Sequence, residues 1–277
     1  MDRLDAHRSF YAQLVTALPG LPSDPRIREA FASVPRERFV GPGPWKIFTR
    51  GGYLDAPTDD PAFLYQDFGV ALKPEREINN GQPSLHALCL TVLGSKDGEV
   101  AVHVGAGTGY YSAILAKLVG PGGRVHAIEI DEDLARRAAA NLASAPNVTV
   151  HHRSGTEGEL PSCDVVYVNA GTTEPARAWL DALRVGGRLL FPLTTAQLTG
   201  GLLLVKREDE TRYSARFVCP ASFVPCVGAR DDETAAKLAE AFKRGNLAAV
   251  RSLRRDDRPD ETAWVVGRGW WLSAAEA

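Results

Sequence analysis

Three glycines at alternate positions, Gly105, Gly107 and Gly109, open a run of helical spacing, and an acid, Glu129, stands roughly 20 residues further on. That combination can hold a nucleoside. A turn without Cβ atoms lets a ligand approach the backbone closely. Amide N–H groups at a helix N-terminus favour electron-rich groups, and a carboxylate at the end of the next strand accepts both ribose hydroxyls. The spacing is G-x-G-x-G, and Tyr110 stands where a dinucleotide fingerprint wants its third glycine. A ligand with a ribose and no pyrophosphate therefore fits better, and S-adenosylmethionine is such a ligand. A glycine turn that merely packs tightly is the competing reading; the strand, helix and acid around it argue for the nucleoside.

These residues need a strand before the turn, a helix after it and a second strand ending at the acid. Glu99 to Val104 alternates and is β-branched, Tyr110 to Val119 has Ile114, Leu115 and Leu118 as a helical apolar face, and Arg124 to Ile128 reads as the second strand. The rhythm continues. Asp131 can cap a helix through Leu142, Val148 to His152 is a third strand, and Cys163 to Asn169 is a fourth with the continuous apolar run of a strand covered on both faces. Pro175 to Leu183 reads as a helix, and Val185 to Arg188 as a tight turn into Leu189 to Pro192. Gly201 to Arg207 and Arg212 to Val218 read as an antiparallel pair at the sheet edge. The fold class is α/β: a doubly wound, Rossmann-like, mostly parallel sheet with an antiparallel edge hairpin.

Two helices precede it. Asp5 to Leu18 presents Phe10, Leu14 and Leu18 on one face, and a second, capped by Asp24 with Pro25 at its first position, carries Ile27, Ala30 and Phe31. Gly41 to Asp67 shows no period and mixes aromatics with carboxylates, as a substrate-side loop or an irregular cover would. A helix from Ser84 to Leu93 follows. Beyond Pro220, Asp232 to Ala241 and Leu247 to Leu253 read as helices and Ala263 to Leu272 is rich in tryptophan, an α-rich C-terminal extension. Three segments result: 1–82 with the N-terminal helices and loop, 83–219 with the cofactor-binding sheet, and 220–277.

The chain has 277 residues, 44% hydrophobic and 24% charged, with a formal net charge of −2. That balance gives no electrostatic reason to expect nucleic acid. Apolar runs are too short to span a membrane, and the first residues lack an apolar signal region. The scattered Cys89, Cys163, Cys219 and Cys226 suit reduced thiols in a cytoplasmic protein. The six histidines have no metal-ligand spacing, so no metal is expected. Only His86, one turn into the helix after Gln82, is placed near a ligand cleft, while His103 and His126 alternate with strand apolars as packed or edge residues.

Several landmarks then fall in order. Val34-Pro35-Arg36-Glu37-Arg38-Phe39-Val40, Tyr65-Gln66-Asp67, Gln82-Pro83, Val102 to Tyr110, Gly155-Thr156-Glu157-Gly158 and Leu183 to Leu189 with Pro192 resemble, respectively, the V-P-R-x-x-F-V, Y-x-D, Q-P, cofactor, G-T-x-G and L-x-x-G-G-R-L elements of one family. The chain resembles the protein-L-isoaspartate O-methyltransferase family of class I S-adenosylmethionine-dependent methyltransferases. The resemblance implies a methyltransferase sheet that binds S-adenosyl-L-methionine through Val104, Gly105, Ala106, Gly107, Thr108, Gly109, Tyr110, Glu129, Ile130, Ser154, Gly155, Thr156 and Asn169. It places Asn79, Asn80, Gly81 and Gln82 at the methyl acceptor. Two positions depart from the family pattern: Gly81 stands where it has a serine, and Ser154 where it has an aspartate expected at the adenine amino group.

A carboxylate acceptor is already ionised near neutral pH, so methyl transfer to it needs alignment and exclusion of water rather than a general base. Asn79, Asn80 and Gln82 could orient an acceptor oxygen, or hydrogen-bond their own loop. The expected partner is a protein or peptide carboxylate, L-isoaspartyl by resemblance. Gly81 keeps open another peptide or small-molecule acceptor, and Ser154 keeps open a non-catalytic binding module.

Overall fold

The computed structural model describes residues 3–22, 24–49 and 51–277, so Met1, Asp2, Ser23 and Arg50 lie outside it. In chain order its elements are α1 (Arg3–Ala17), α2 (Pro25–Ser33), the one-turn α3 (Glu37–Val40), β1 (Lys46–Thr49), β2 (Gly52–Asp55), β3 (Ala71–Lys73), β4 (Ile78–Asn79), α4 (Pro83–Leu93), β5 (Val100–Val104), α5 (Tyr110–Leu118), β6 (Arg124–Glu129), α6 (Glu132–Asn141), β7 (Val148–His152), β8 (Cys163–Val168), α7 (Arg177–Ala182), β9 (Leu183–Thr194), β10 (Thr199–Arg207), β11 (Tyr213–Ser222), α8 (Asp232–Arg244), β12 (Ser252–Arg254), β13 (Ala263–Gly267) and β14 (Trp270–Ser273). Contacts divide the chain into two compact units. The first holds residues up to Glu99 and Ala106–Arg153; the second holds Val100–Gly105 and Ser154–Ala277. These boundaries cut across the three segments drawn from the sequence.

In the first unit, helix starts follow local chemistry. Asp24 accepts from the Arg26 amide and Pro25 opens α2, while Asp131 accepts from the Leu134 amide and caps α6. β6 and β7 pair in parallel, Glu129 opposite His152. The face of α1 differs from expectation. Tyr11, Ala12, Val15 and Thr16 are buried, whereas Phe10 and Leu18 are 64% and 53% exposed. Both stripes have helical spacing; Tyr11 decides between them because its ring meets Phe31 and Tyr65 edge-on at 6.1 and 5.5 Å and its hydroxyl meets Tyr110 at 3.3 Å. The Gly41–Asp67 segment is also more ordered than a loop. β1 and β2 form a hairpin, and Val40, Trp45, Ala56, Leu64 and Val70 make a small core beneath it.

The second unit is built on one sheet in the order β13-β14-β12-β11-β10-β9-β8-β5. β5, β8 and β9 run parallel, and the remaining pairs are antiparallel. β8 reads as a continuous apolar run because five of its six residues are buried. Three expectations change here. The Val185–Arg188 turn is a bulge inside one long strand: Cys163 pairs with Leu183 and Val165 with Arg188, with Gly186 at φ +82°. The β10–β11 pair is not an edge, since β12 pairs with β11. Leu247–Leu253 is a single 3₁₀ turn followed by β12, so the extension carries three strands beside its one helix. Trp264 packs edge-on against Phe217 and Phe242, with ring centroids at 5.3 and 5.4 Å. Among the described residues no helix is long and apolar enough to cross a membrane.

Candidate active site

In the first unit the glycine turn closes on its acid. Gly107 and Gly109 adopt left-handed φ values of +56° and +94°, and a Cβ on Gly109 would stand 2.6 Å from Leu142 Cδ1. The Gly107 amide donates to Glu129 Oε2 at 2.7 Å and the Asp131 amide to Oε1 at 2.9 Å. Burial of Glu129 pushes its pKa up against these two bonds. A carboxylate with two amide donors still has acceptor sites left. Asp131 faces two cations, Lys73 Nζ at 2.6 Å and Arg76 Nη1 at 2.5 Å. Burial opposes its charge, yet the Lys73 and Leu134 bonds and both cations lower its pKa. Asp131 thus caps α6 and anchors the β3 segment, whose Leu72 Cδ1 would lie 3.3 Å from a Cβ on Gly107.

Two expected cofactor residues turn their side chains away. Thr108 Oγ1 donates to Phe39 O at 2.6 Å, and Tyr110 is buried with its hydroxyl at Tyr11. Both tie the turn to the Val34–Val40 motif and to α1, because a buried hydroxyl must find a partner.

The residues expected at the acceptor are largely held by their own loop. Asn79 Oδ1 accepts from the Gly81 amide at 2.8 Å. Asn80 exchanges bonds with Val70, accepting from its amide through Oδ1 at 2.7 Å and donating its own amide to the Val70 carbonyl at 2.9 Å. Asn80 is buried, with its Oδ1 tied to the loop backbone and its Nδ2 without a hydrogen-bond acceptor. Gln82 Nε2 donates to Asp67 Oδ2 at 2.8 Å. Asp67 also accepts from Ser84, amide and hydroxyl, each at 2.7 Å. Ser84 lies in the first turn of α4, held there by Asp67. Gly81 has φ +74°, and a Cβ there would fall on His86 Nε2. His86 stacks on Tyr111 at 3.6 Å and 10°.

Arg36 was legible only as part of a motif, yet it organises this region. It has no exposed surface. Its guanidinium donates to the carbonyls of Leu64 at 2.6 Å, Gln66 at 2.9 Å and Phe68, and reaches Asn80 Oδ1 at 3.4 Å. The planar fork suits several carbonyls at once.

Ala106 and Ile130 also lie in the first unit, and the second carries Val104, Gly105, Ser154, Gly155, Thr156 and Asn169. Gly105 has φ +73°, and a Cβ there would lie 3.4 Å from the Asn169 carbonyl. Asn169 donates its amide to Val104 O at 2.9 Å. A Cβ on Gly155 would overlap Val104 Cγ1, and Gly155 O accepts from Trp179 Nε1 at 2.7 Å. Ser154 Oγ lies 2.9 Å from Thr156 Oγ1, which donates to Val227 O at 3.1 Å. Ser154 thus folds onto its own loop.

The chain is similar to known proteins. The profile of the Protein-L-isoaspartate(D-aspartate) O-methyltransferase (PCMT) family matches residues 13–231. A protein-L-isoaspartate O-methyltransferase of Roseiflexus sp. is 31% identical over 74% of this chain and 85% of its own length. One from Aeropyrum pernix is 31% identical over 81% of this chain and 82% of its own. Among solved structures, a protein-L-isoaspartate O-methyltransferase aligns with a TM-score of 0.67 at 21% identity, over 91% of this chain and 74% of its own. A Plasmodium falciparum relative in complex with S-adenosyl-L-homocysteine aligns at 0.64 and 18% identity, over 79% and 97%. These two show the fold, and the family match ends before α8. The glycine turn closed on Glu129, the Val34–Val40 motif bonded to it and a profile match over most of the length have one explanation: the chain belongs to the protein-L-isoaspartate(D-aspartate) O-methyltransferase family.

Proposed function

We propose that the chain methylates a carboxylate on a protein or peptide, the L-isoaspartyl group by its family, with S-adenosyl-L-methionine as donor. The observation that carries this reading is Glu129, buried at the end of β6 and bonded to the glycine turn. The cofactor supplies an electrophilic methyl group. The residues fit it: Gly105, Gly107 and Gly109 are all left-handed and leave the backbone bare, and Glu129 keeps acceptor sites for a ribose diol. Ile130 beside it is 45% exposed, an apolar surface that an adenine can cover. Ser154 is assigned to the adenine amine, with Gly155 and Thr156 shaping its loop. The acceptor carboxylate needs no base, so this chain's task is to orient it and exclude water. Four free thiols suit a reducing compartment, the cytoplasm.

A second reading keeps the chemistry and changes the acceptor. Gly81 favours it, because its left-handed backbone and the His86 ring leave no place for the family's serine. Methyl-labelled cofactor offered with an isoaspartyl peptide and its aspartyl twin separates the two. The expected result is labelling of the isoaspartyl peptide alone, and a wild-type enzyme that labels neither peptide but labels another acceptor sinks the first reading. Glu129→Ala should weaken cofactor binding about 10- to 150-fold, as for a lost hydrogen bond to a charged group. Unchanged affinity by calorimetry would remove Glu129 from the site.

A further inference from the structure

We infer that His103 is a positioning residue: it orients the Asn169 amide so that Oδ1 accepts a hydrogen bond from the α-ammonium of the cofactor. This rests on the proposed methyltransferase reading. His103 lies in the middle of β5 with no exposed surface, its ring stacked on Tyr167 at 5.1 Å and 12°. Its Nε2 is 2.7 Å from Asn169 Nδ2. Burial holds its pKa down to about 3, so the imidazole is neutral at working pH. A neutral imidazole has one acceptor nitrogen. With Nε2 in that role the Asn169 NH2 is taken, and the amide oxygen must face the other way.

That oxygen is buried and has no hydrogen-bond donor. An unsatisfied buried acceptor costs about 1–3 kcal/mol, and in a native structure it calls for an explanation such as an absent ligand. Asn169 follows directly on the carboxyl end of β8, where open α/β sheets bind ligands. Its backbone is joined to Val104 and packed against Gly105. Of the donors that S-adenosylmethionine carries, the ribose hydroxyls are assigned to Glu129 and the adenine amine to Ser154. The ammonium remains, and a cationic donor makes the stronger bond to a carboxamide oxygen.

The test compares two ligands by titration calorimetry: S-adenosyl-L-homocysteine, and 5′-deoxy-5′-(methylthio)adenosine, which keeps adenine and ribose but lacks the amino acid. Asn169→Ala and His103→Leu should each weaken homocysteine-ligand binding about 10-fold or more, the value of a charge-assisted hydrogen bond. Both should leave the truncated nucleoside unchanged. His103→Gln, whose carboxamide oxygen can accept from Asn169, should restore most of the loss. Melting curves identify any variant that fails to fold, and Asn169→Ala at the strand end decides the matter if the buried His103 variants do. Unchanged binding in Asn169→Ala, or an equal loss with both ligands, overturns the inference alone. A wild-type protein that binds neither ligand removes the proposed cofactor as well.

Discussion

Arg36→Met should lower the melting temperature by about 6–12 °C, the equivalent of roughly 3 kcal/mol in a chain of this size. The methionine fills similar space and removes a buried charge, which by itself is favourable. It also strips the donor from three carbonyls, those of Leu64, Gln66 and Phe68. The buried Leu64 carbonyl left alone costs about 1–3 kcal/mol and the half-buried Phe68 carbonyl adds to it, while Gln66 O keeps the Phe68 amide. Arg36→Lys should recover little, because an ammonium cannot reproduce a planar fork that spans residues 64–68 and Asn80. Hydrogen exchange at the Val70 amide adds a local readout, since Asn80 holds that amide and Arg36 holds Asn80. A melting temperature within 2 °C of wild type, with Val70 still protected, would show the motif arginine to be dispensable to this loop.

Gly81→Ser should reduce methylation and stability together, although it restores the residue that the family carries. From the sequence alone the substitution should raise isoaspartyl activity, provided the glycine is free of a left-handed backbone. It is not: φ is +74°, and the new Cβ would fall on His86 Nε2. The backbone strain alone is worth about 1–2 kcal/mol. The overlap adds to it, because His86 is 2% exposed and stacked on Tyr111, so its ring has nowhere to go. Adding His86→Ala should relieve the overlap and leave the strain, so the double variant should melt above Gly81→Ser and below His86→Ala. A serine variant that melts like wild type and methylates isoaspartyl peptide faster would mean that this loop rearranges freely.

What could be read in the sequence was local. The glycine turn, the cap by Asp24 and the acid at the end of β6 each depend on residues a few positions apart, or on one strand length. The failures share a non-local cause. Phe10-Leu14-Leu18 and Tyr11-Val15 are equally good helical stripes, and only Tyr65 and Tyr110, far along the chain, choose between them. Leu247–Leu253 has helical spacing, yet Leu253 is claimed by Tyr213 on one side and Leu272 on the other. The Val34–Val40 motif marked the family without revealing why an arginine stands in it, since its partners lie 28 to 44 residues away. Asn79 and Asn80 looked equally fit for an acceptor or for the loop, and the bond from the Val70 amide to Asn80 Oδ1 could not be read from their spacing.

The imidazole sealed inside β5 also sets how the protein meets acid. Unfolded, His103 titrates near 6.5; folded, only near 3. Between those values the unfolded chain takes up a proton that the folded chain refuses, so stability is complete above the upper value and falls as pH drops through the window. The slope is about 1.4 kcal/mol per pH unit, or roughly 2 kcal/mol between pH 7 and pH 5. His126 and His151, both lowered by desolvation, act in the same direction. Glu129 and Glu174, both raised by desolvation, act against it. His103→Gln should remove its share, shrinking the fall in melting temperature between pH 7 and pH 5 by about 4–8 °C. Equal falls in variant and wild type would show that this histidine is already protonated when folded. Otherwise the protein yields to mild acid before most of its carboxylates begin to titrate.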